Sequence, residues 1–382
     1  MAGWSKRLSD IALPKPARWF ALTWRHKLWR FRQLRWIMQD AIGTARQPEH
    51  DHRTHLRGTL EWLCRAQDAS RGTARPGCVA TGWAFELGWL PGNIDDTGWL
   101  IESFLPAAKY LDWPLLNNRA RAMLDALLDQ PDSASMGRIH GLMTGYLQMG
   151  DTLCLSRAVQ SAYMLLECLA SSTLQHAQLA QTLIRLGILA QNQDLIEAGR
   201  QHLEATLAAQ TPCGWFAEDA TPVSTLDLAG IIRNVLNTAE LLSDSRAHDA
   251  AHHVAWELSS RLSDTGELAA RFDDGWTPGG HQACVATMAQ LAISWLRLAS
   301  TEPQSCWRES AWTALAWIKR NQRSNTHHLA LRDALPGAVP IWQGVNAFHF
   351  TAISAKYFAD ALMMDMVGIC IPPSDIKARL PA

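Results

Sequence analysis

The sequence lacks the residue spacings by which proteins commonly hold metals. Its eight cysteines are scattered along 382 residues with no CxxC pair, and no HExxH motif occurs. Zinc knuckles and many metallohydrolases need such closely spaced cysteine or histidine ligands. We therefore predict no metal site and no disulfide framework, with free thiols in a reducing compartment.

Nucleotide-binding and hydrolase motifs are missing as well. The sequence contains neither GxxxxGK[ST] nor GxGxxG, and it has no GxSxG. These motifs build the phosphate-binding loop, the dinucleotide site and the nucleophile elbow, respectively. We predict no cofactor and no Ser/His/Asp hydrolase.

Long apolar runs are also absent. No stretch of about 18 apolar residues occurs, so no transmembrane helix is expected. The N-terminus is basic and aromatic, without the apolar region of a signal peptide, which predicts a cytoplasmic protein. Residues 1–40 hold nine Lys/Arg against two acids, a local charge of +7, so the remainder carries about −8 within a total of −1. An acidic body gives no support to nucleic-acid binding.

The basic N-terminal segment interleaves charge with large apolar side chains over residues 17–40. This composition suits a helix lying on an anionic membrane surface, which would make the protein peripheral at the inner membrane. Two other interpretations stay open. The segment could pack on the body with a solvated basic face, or it could contact a partner protein.

Tyrosine is scarce, whereas tryptophan is abundant: four Tyr stand against eighteen Trp. The rigid indole ring stacks well on flat surfaces such as sugar rings. Many of these tryptophans would equally fill the core of a large helical domain. The composition permits a carbohydrate site without requiring one.

Strand signals are sparse, and amphipathic helical patterns repeat after residue 50. About twelve helices form six pairs with a period of 40–60 residues, which indicates a helical array. No polar capping repeat is evident at either end, so we predict an all-α, closed (α/α)6 toroid rather than an open solenoid. The predicted domains are an N-terminal arm (1–48), the toroid (49–366) and a tail (367–382).

Polar residues cluster where the second helix of each pair begins. If those helices form an inner ring, their N-terminal ends share one rim, and residues with acid–base chemistry would converge there. Taken singly, an Asp at such a position is more simply a helix cap. We predict that Asp96 caps its helix and that Asp95 faces the funnel. The rim and loop candidates are Glu86, Asp95, Asp96, His140, His176, Glu218, Asp219, Asp227, Arg271, Asp273, Asp274, Trp276, His281, Asn346 and His349.

Three segments resemble a family of bacterial (α/α)6-toroid proteins from polysaccharide-biosynthesis gene clusters. The family is described as prenyltransferase-like or squalene-cyclase-repeat-like and is similar to the C-terminal region of glucuronyl C5-epimerases. The resemblance covers roughly residues 55–365. It rests on "GWAFELGWLPGNIDDTGWLIESFL", "RFDDGWTPGGHQACVATMAQLAISWLRL" and "PIWQGVNAFHFTAISAKYFADAL".

The resemblance implies site residues. A family Glu falls on Asp95, followed by Asp96. The family's R-F-D-x-x-W falls on Arg271, Phe272, Asp273 and Trp276, a later Gln on Gln290, and further matches on Pro340, Ile341, Trp342, Gly344, Lys356, Phe358 and Asp360. A His common in the family is missing from "TPVSTLDLAGIIRNV", where Asp227 and Arg233 stand instead.

The leading hypothesis is a carbohydrate-active protein of bacterial capsule, exopolysaccharide or lipopolysaccharide synthesis. It would bind a glycan or lipid-linked oligosaccharide and act as a glycoside hydrolase, lyase or uronate epimerase, with paired acids for acid–base chemistry. The predicted catalytic residues are Asp95, Asp96, His140, Asp227 and His281. The predicted substrate-binding residues are Trp83, Glu86, Trp89, Arg233, Arg271, Asp273, Trp276, Gln290, Trp342, Asn346 and Lys356.

Two alternatives remain. The "NIDDT" stretch is similar to the acid-rich DxDD text of protonating terpenoid cyclases, but Asn93 stands at the place of the first acid. A non-enzymatic glycan-binding scaffold is also compatible with the missing family His. The sequence does not indicate the oligomeric state.

Overall fold

The computed structural model describes residues 31–43, 48–130, 134–167, 170–216, 223–303, 305–344 and 346–367. These ranges contain thirteen α-helices and six short strands. The helices are α1 (Phe31–Ile42), α2 (His52–Asp68), α3 (Ile94–Tyr110), α4 (Leu115–Leu128), α5 (Met136–Met149), α6 (Thr152–Leu166), α7 (Thr173–Ala190), α8 (Gln193–Ala208), α9 (Thr225–Leu242), α10 (Ser245–Ser259), α11 (Val285–Thr301), α12 (Trp307–Asn321) and α13 (Ala352–Val367). The strands are β1 (Gly82–Ala84), β2 (Gly88–Trp89), β3 (Val223–Ser224), β4 (Ala269–Phe272), β5 (Pro278–Gln282) and β6 (His349–Thr351).

Helices α3, α5, α7, α9, α11 and α13 form an inner ring. Each packs on the next, and α13 returns to α3, so the ring is closed. The outer helices α4, α6, α8, α10 and α12 each pack on the inner helix that precedes them in sequence, while α2 packs on α13. The prediction of a closed (α/α)6 toroid is confirmed, and the open solenoid is wrong.

The two rings differ in how their helices are buried. Inner helix α9 is buried on nearly all sides, from Thr225 to Leu241. Outer helix α10 buries only Ala247, Ala251, Val254, Ala255 and Leu258, a single stripe at helical spacing. An all-round apolar helix belongs inside a protein and a one-sided helix at its surface, so sequence pattern assigns each helix to its ring.

The connections differ in length at the two ends of the toroid. The segments that enter the inner helices are long, as in 69–93, 260–284 and 322–351, whereas those that leave them are short, as in 111–114, 191–192 and 243–244. The long segments hold two small sheets, in the orders β2-β1-β6 and β3-β4-β5. We call this side, where the inner helices begin, the loop-bearing end.

Helix α1, the described part of the predicted arm, packs against the loop-bearing end. The Gln33 side-chain amide donates to the Phe85 carbonyl at 2.5 Å. The Trp36 ring lies edge-on to Trp83, with centroids 6.0 Å apart. A carboxylate oxygen of Asp40 accepts a backbone N–H from the segment before β6 at 2.8 Å. One face of this helix therefore belongs to the body, while residues 1–30 and the predicted tail beyond residue 367 lie outside the described residues.

Candidate functional site

Each inner helix contributes at least one charged or titratable side chain to a cavity on the toroid axis. These side chains are Glu102, His140, Arg185, Arg233 and Arg297, one each from α3, α5, α7, α9 and α11, together with Lys356 and Asp360 from α13. The cavity measures about 30 Å³. This is far below the roughly 300 Å³ at which small-molecule pockets begin, and it suits a water or a small substituent rather than a sugar ring.

Glu102 is the central acid of this cavity. Its Oε1 accepts from Arg185 Nη1 at 2.5 Å and lies 3.0 Å from His140 Nδ1, while Lys356 Nζ lies 3.9 Å from Oε2. Burial alone would raise the pKa of Glu102, but His140, Arg185 and Lys356 outweigh burial and hold that pKa well below its usual range. Glu102 is therefore a fixed anion rather than a proton donor.

His140 lies beside Glu102 under the Trp99 ring. The two ring centroids are 4.1 Å apart, and His140 Nε2 is 3.1 Å from the Thr182 hydroxyl. Burial lowers the pKa of His140 to about 4, although Glu102 opposes the shift. A histidine with this pKa is neutral near pH 7.

Lys356 and Arg233 occupy the side of the cavity formed by α9 and α13. Lys356 Nζ donates to Asp360 Oδ2 at 2.6 Å. Arg233 donates to Gln290 Oε1 at 3.1 Å and to the Tyr357 hydroxyl at 3.2 Å. The guanidinium of Arg233 is thus held by neutral acceptors. Neither of these hydrogen bonds goes to a carboxylate that would compensate its charge.

Positive charge exceeds negative charge around the cavity. Four permanent cations line it, Arg185, Arg233, Arg297 and Lys356, against the carboxylates of Glu102 and Asp360. Arg297 also has half-exposed Glu240 3.6 Å away. Among the described residues, the buried Nε atoms of Arg185 and Arg297 have no hydrogen-bond partner. Unpaired buried donors beside surplus cations favour an anionic group in the cavity.

Asp95 and Asp96 lie at the loop-bearing end, one turn before Trp99. The N-cap of α3 is Asn93, whose side chain accepts from the Asp96 N–H at 2.6 Å. Asp95 Oδ1 accepts the Gly137 N–H at 2.7 Å, so it neutralises the start of α5. The prediction that Asp96 caps its helix while Asp95 stays free is wrong, because Asn93 is the better-placed acceptor and Asp95 reaches a neighbouring helix.

The pKa of Asp96 is raised above its ordinary value. Burial is the main cause and the nearby charge of Asp95 adds to it, which together bring the pKa of Asp96 to about 6 despite a hydrogen bond from Asn93. Two adjacent acids in unlike environments are a common source of one protonated and one ionised carboxyl.

Two further rim candidates, Asp227 and His176, do not line the axial cavity. Asp227 exchanges hydrogen bonds with Ser224 at the start of α9, a reciprocal capping arrangement. His176 faces His202 of outer helix α8, with Nδ1 atoms 2.9 Å apart. The side chain of His281, together with Glu218 and Asp219, lies outside what the structure describes.

Most of the tryptophans predicted to stack on sugars have their rings covered. Trp83, Trp276 and Trp342 are buried in the core. Trp89 is half-buried and packs on Trp62 with centroids 5.6 Å apart. Covered ring faces cannot stack on a ligand, so the prediction of a Trp-lined funnel is not supported at the three buried positions.

Several predicted binding residues belong to the small sheets and loops of the loop-bearing end. Asp273 Oδ1 accepts the N–H groups of Gly275 and Thr277 at 3.1 and 2.7 Å, which shapes the β4–β5 turn. Trp276 donates to the Cys213 carbonyl at 2.9 Å and anchors that hairpin. The remaining members of this group lie in β4, in β6 or in loops and do not line the axial cavity: Arg271, His349, Asp274, Glu86 and Asn346.

The residues of the cavity that the sequence analysis missed include three charged groups, Glu102, Arg185 and Arg297, and Trp99, the ring over His140. They lie deeper along the inner helices than the rim positions that the sequence analysis considered. A usable signal exists, because each charge interrupts an apolar helix, as in "WLIESFL", "TLIRLGI" and "SWLRLAS". A lone charge on an all-apolar helix is costly unless it is paired or functional.

Solved structures share this fold. An unsaturated glucuronyl hydrolase from Bacillus sp. GL1 superposes with a TM-score of 0.68 at 12% identity, over 82% of this chain and 97% of that chain. One specific for heparin gives a TM-score of 0.68 at 11% identity, over 84% and 99%. One from Streptococcus agalactiae gives 0.65 at 13% identity, over 83% and 92%. At these identities the likeness establishes the toroid fold.

No family model matches the chain, and no curated protein matches its sequence. The resemblance to proteins of polysaccharide-biosynthesis clusters therefore stays a prediction. Among the described residues, no helix has the length and apolar character needed to cross a membrane.

Proposed function

We propose that this protein binds an acidic glycan at the loop-bearing end of its toroid. The observation that supports this most directly is the charge of the axial cavity, where four permanent cations face two carboxylates. A sugar carboxylate or sulfate would supply the anion that this balance lacks. Arginine suits both groups, because its planar fork donates two parallel hydrogen bonds.

The cavity size limits what enters it. At about 30 Å³ it has room for a substituent but not for a pyranose ring. The ring of the bound sugar would therefore stay towards the rim, where Asp95 and Asp96 lie. Arg233 is the leading contact, because its hydrogen bonds go to the neutral groups of Gln290 and Tyr357.

The proteins of similar fold act on glycans of this class. The Bacillus enzyme is described as responsible for the degradation of glycosaminoglycan. A Streptococcus agalactiae relative was solved in complex with dGlcA-GalNAc6S, which carries both a uronate and a sulfate. An acidic oligosaccharide is accordingly the first ligand class to test. Surface-polysaccharide synthesis, with a free or lipid-linked glycan, is the proposed setting.

Acid–base catalysis is the second candidate, and the raised pKa of Asp96 beside Asp95 favours it. A protonated Asp96 could deliver a proton to a leaving oxygen, with Asp95 as the second carboxyl of the pair. A terpenoid-cyclase activity fits poorly, because an apolar chain would meet a cavity lined by four permanent cations.

Binding and catalysis separate in one experiment with unsaturated uronyl disaccharides from heparin and chondroitin. We expect Arg233→Gln to weaken affinity at least about tenfold in calorimetry, the usual cost of a lost charge-assisted contact. Arg246→Gln on the exposed face of α10 is the matched control and should bind as the wild type does. Asp96→Asn should keep the affinity and lose turnover. Equal affinities for Arg233→Gln and wild type would remove the cavity from the proposal.

A further inference from the structure

Helix α1 has a second face that the body does not cover. Leu34, Met38 and Ile42 are 45%, 52% and 53% exposed, and their spacing of four residues aligns them in one stripe. Gln33 and Trp36, which contact the body, lie on the opposite side of the helix. This helix is therefore apolar both towards the protein and towards the outside.

Two further exposed leucines lie in loops whose neighbouring residues contact α1. Leu87 is 68% exposed and Leu329 is 64% exposed. Leu87 stands two residues after Phe85, whose carbonyl Gln33 binds, and Leu329 follows His328, whose ring lies 5.2 Å from that of Trp36. We call the five side chains Leu34, Met38, Ile42, Leu87 and Leu329 the apolar patch. They are five of the twelve large apolar side chains exposed in the described part of the chain, and an exposed apolar stripe such as that of α1 marks an interaction surface.

The N-terminal segment of the sequence, which includes α1, is basic. Arg35 is exposed on α1 itself, between Leu34 and Met38. Residues 1–40 carry a net charge of +7, whereas the rest of the chain carries about −8. An apolar stripe within a basic segment complements an anionic lipid surface. There the apolar residues contact the acyl chains and the cations contact the headgroups.

We propose that the apolar patch docks this protein on the surface of an anionic lipid bilayer. Helix α1 would lie in the plane of the headgroups, since none of the described helices has the length and apolar character of a membrane span. The patch belongs to the loop-bearing end, beside the β2-β1-β6 sheet. Docking through this patch would bring the loop-bearing end of the toroid close to the membrane surface, where the glycan of a lipid-linked oligosaccharide lies.

The test is flotation of the full chain with vesicles of phosphatidylglycerol and phosphatidylcholine, and with phosphatidylcholine alone. We expect binding to the anionic vesicles, weakening as salt is raised. The triple variant Leu34→Ser/Met38→Ser/Ile42→Ser should partition to the vesicles at least about tenfold less, because three apolar side chains are removed from the membrane contact. Leu115→Ser/Leu153→Ser, which alters exposed leucines on α4 and α6, is the matched control and should bind as the wild type does.

Arg35→Glu gives an independent arm that leaves the apolar residues intact. It should weaken binding several-fold and leave the circular dichroism spectrum unchanged. Absence of wild-type binding to anionic vesicles overturns the proposal, as does wild-type binding by the triple variant. A wild-type dimer that the triple variant converts to a monomer would assign the patch to a second copy of the chain. Hydrogen exchange of the α1 amides in the absence of vesicles tests one further occupant. If these amides are protected in the full chain and lose that protection when residues 1–30 are removed, the apolar patch is covered by residues 1–30 instead of a bilayer, and the proposal is overturned.

Discussion

Glu102 is a carboxylate with almost no contact with solvent, and three basic groups surround it. Arg185 and His140 lie within hydrogen-bond distance of one oxygen, and Lys356 approaches the other. Such a buried cluster contributes little net stability, because desolvation offsets attraction, but removing one partner leaves uncompensated charge. A buried charge cluster that adds little stability is compatible with a site that holds cations in a fixed arrangement.

Replacing Glu102 by Gln should lower the free energy of unfolding by about 3–5 kcal/mol, because Arg185 and Lys356 lose their shared anion in the interior. Urea denaturation followed by circular dichroism measures this. Glu204→Gln is the control, since its pair with Arg246 is exposed and should matter by less than about 1 kcal/mol. Equal losses for the two variants would show that the axial charges are solvated.

Asp96 predicts a pH dependence of stability. Its pKa of about 6 exceeds the unfolded value of 3.8, so the folded state holds this proton more tightly. That contribution to stability is present at pH 4 and disappears as pH rises towards 6. The unfolding free energy of Asp96→Asn should therefore rise relative to that of the wild type by roughly 2 kcal/mol between pH 4 and pH 7. The measurement is the difference in unfolding free energy at several pH values, and a constant difference would place the pKa of Asp96 near normal.

Sequence reasoning found some residues of the axial site and misjudged others. His140, Arg233 and Lys356 were among the candidates and do line the cavity. Trp83 and Trp276 were chosen for ring chemistry that is equally the chemistry of a core. The sequence alone does not indicate whether a given Trp is buried or exposed, because this depends on its neighbours in space. Those neighbours come from distant parts of the chain.

At the scale of elements, α3 and α5 approach each other unusually closely. A Cβ on Gly98 would stand 1.9 Å from the Gly137 carbonyl oxygen, and one on Gly137 would stand 2.0 Å from the Asp95 carbonyl oxygen. The same contact lets Asp95 reach the first turn of α5. The two glycines thus set the spacing at which the rim acids are held.

Gly98→Ala should cost about 3 kcal/mol or more of unfolding free energy, because backbone rather than a flexible side chain blocks the added methyl. Gly279→Ala is the matched control: no atom lies within 4 Å of its added Cβ, so its effect should stay within about 0.5 kcal/mol. Chemical denaturation of both variants makes the comparison. A mild effect at Gly98 would mean that α3 and α5 can separate without loss.

Helices were more predictable than strands. The apolar repeat locates inner and outer helices because each buries a face set by its own sequence, as in α10. The six strands have two to five residues each and pair across distant segments, such as β1 with β6. Too few residues alternate within each strand for a period of two to be detected.

At the scale of the whole molecule, the ring closes where its last inner helix, α13, contacts the first inner helix, α3. The first outer helix, α2, packs on the last inner helix, α13, so the six-pair repeat was sufficient to predict the architecture. Repetition does not reveal where the ring carries function. The charged and titratable side chains of the axial cavity come from six separate helices and meet only once the ring has closed.

The most direct test of the account is the affinity of the wild-type protein for an unsaturated uronyl disaccharide and for its carboxyl-reduced counterpart. The two ligands differ only in the acidic group that the axial cations are proposed to hold. We expect the acid to bind at least about tenfold more tightly, with the preference declining as salt is raised. Equal affinity for the two ligands, or no binding of either, would contradict the proposal that the toroid axis recognises an acidic glycan.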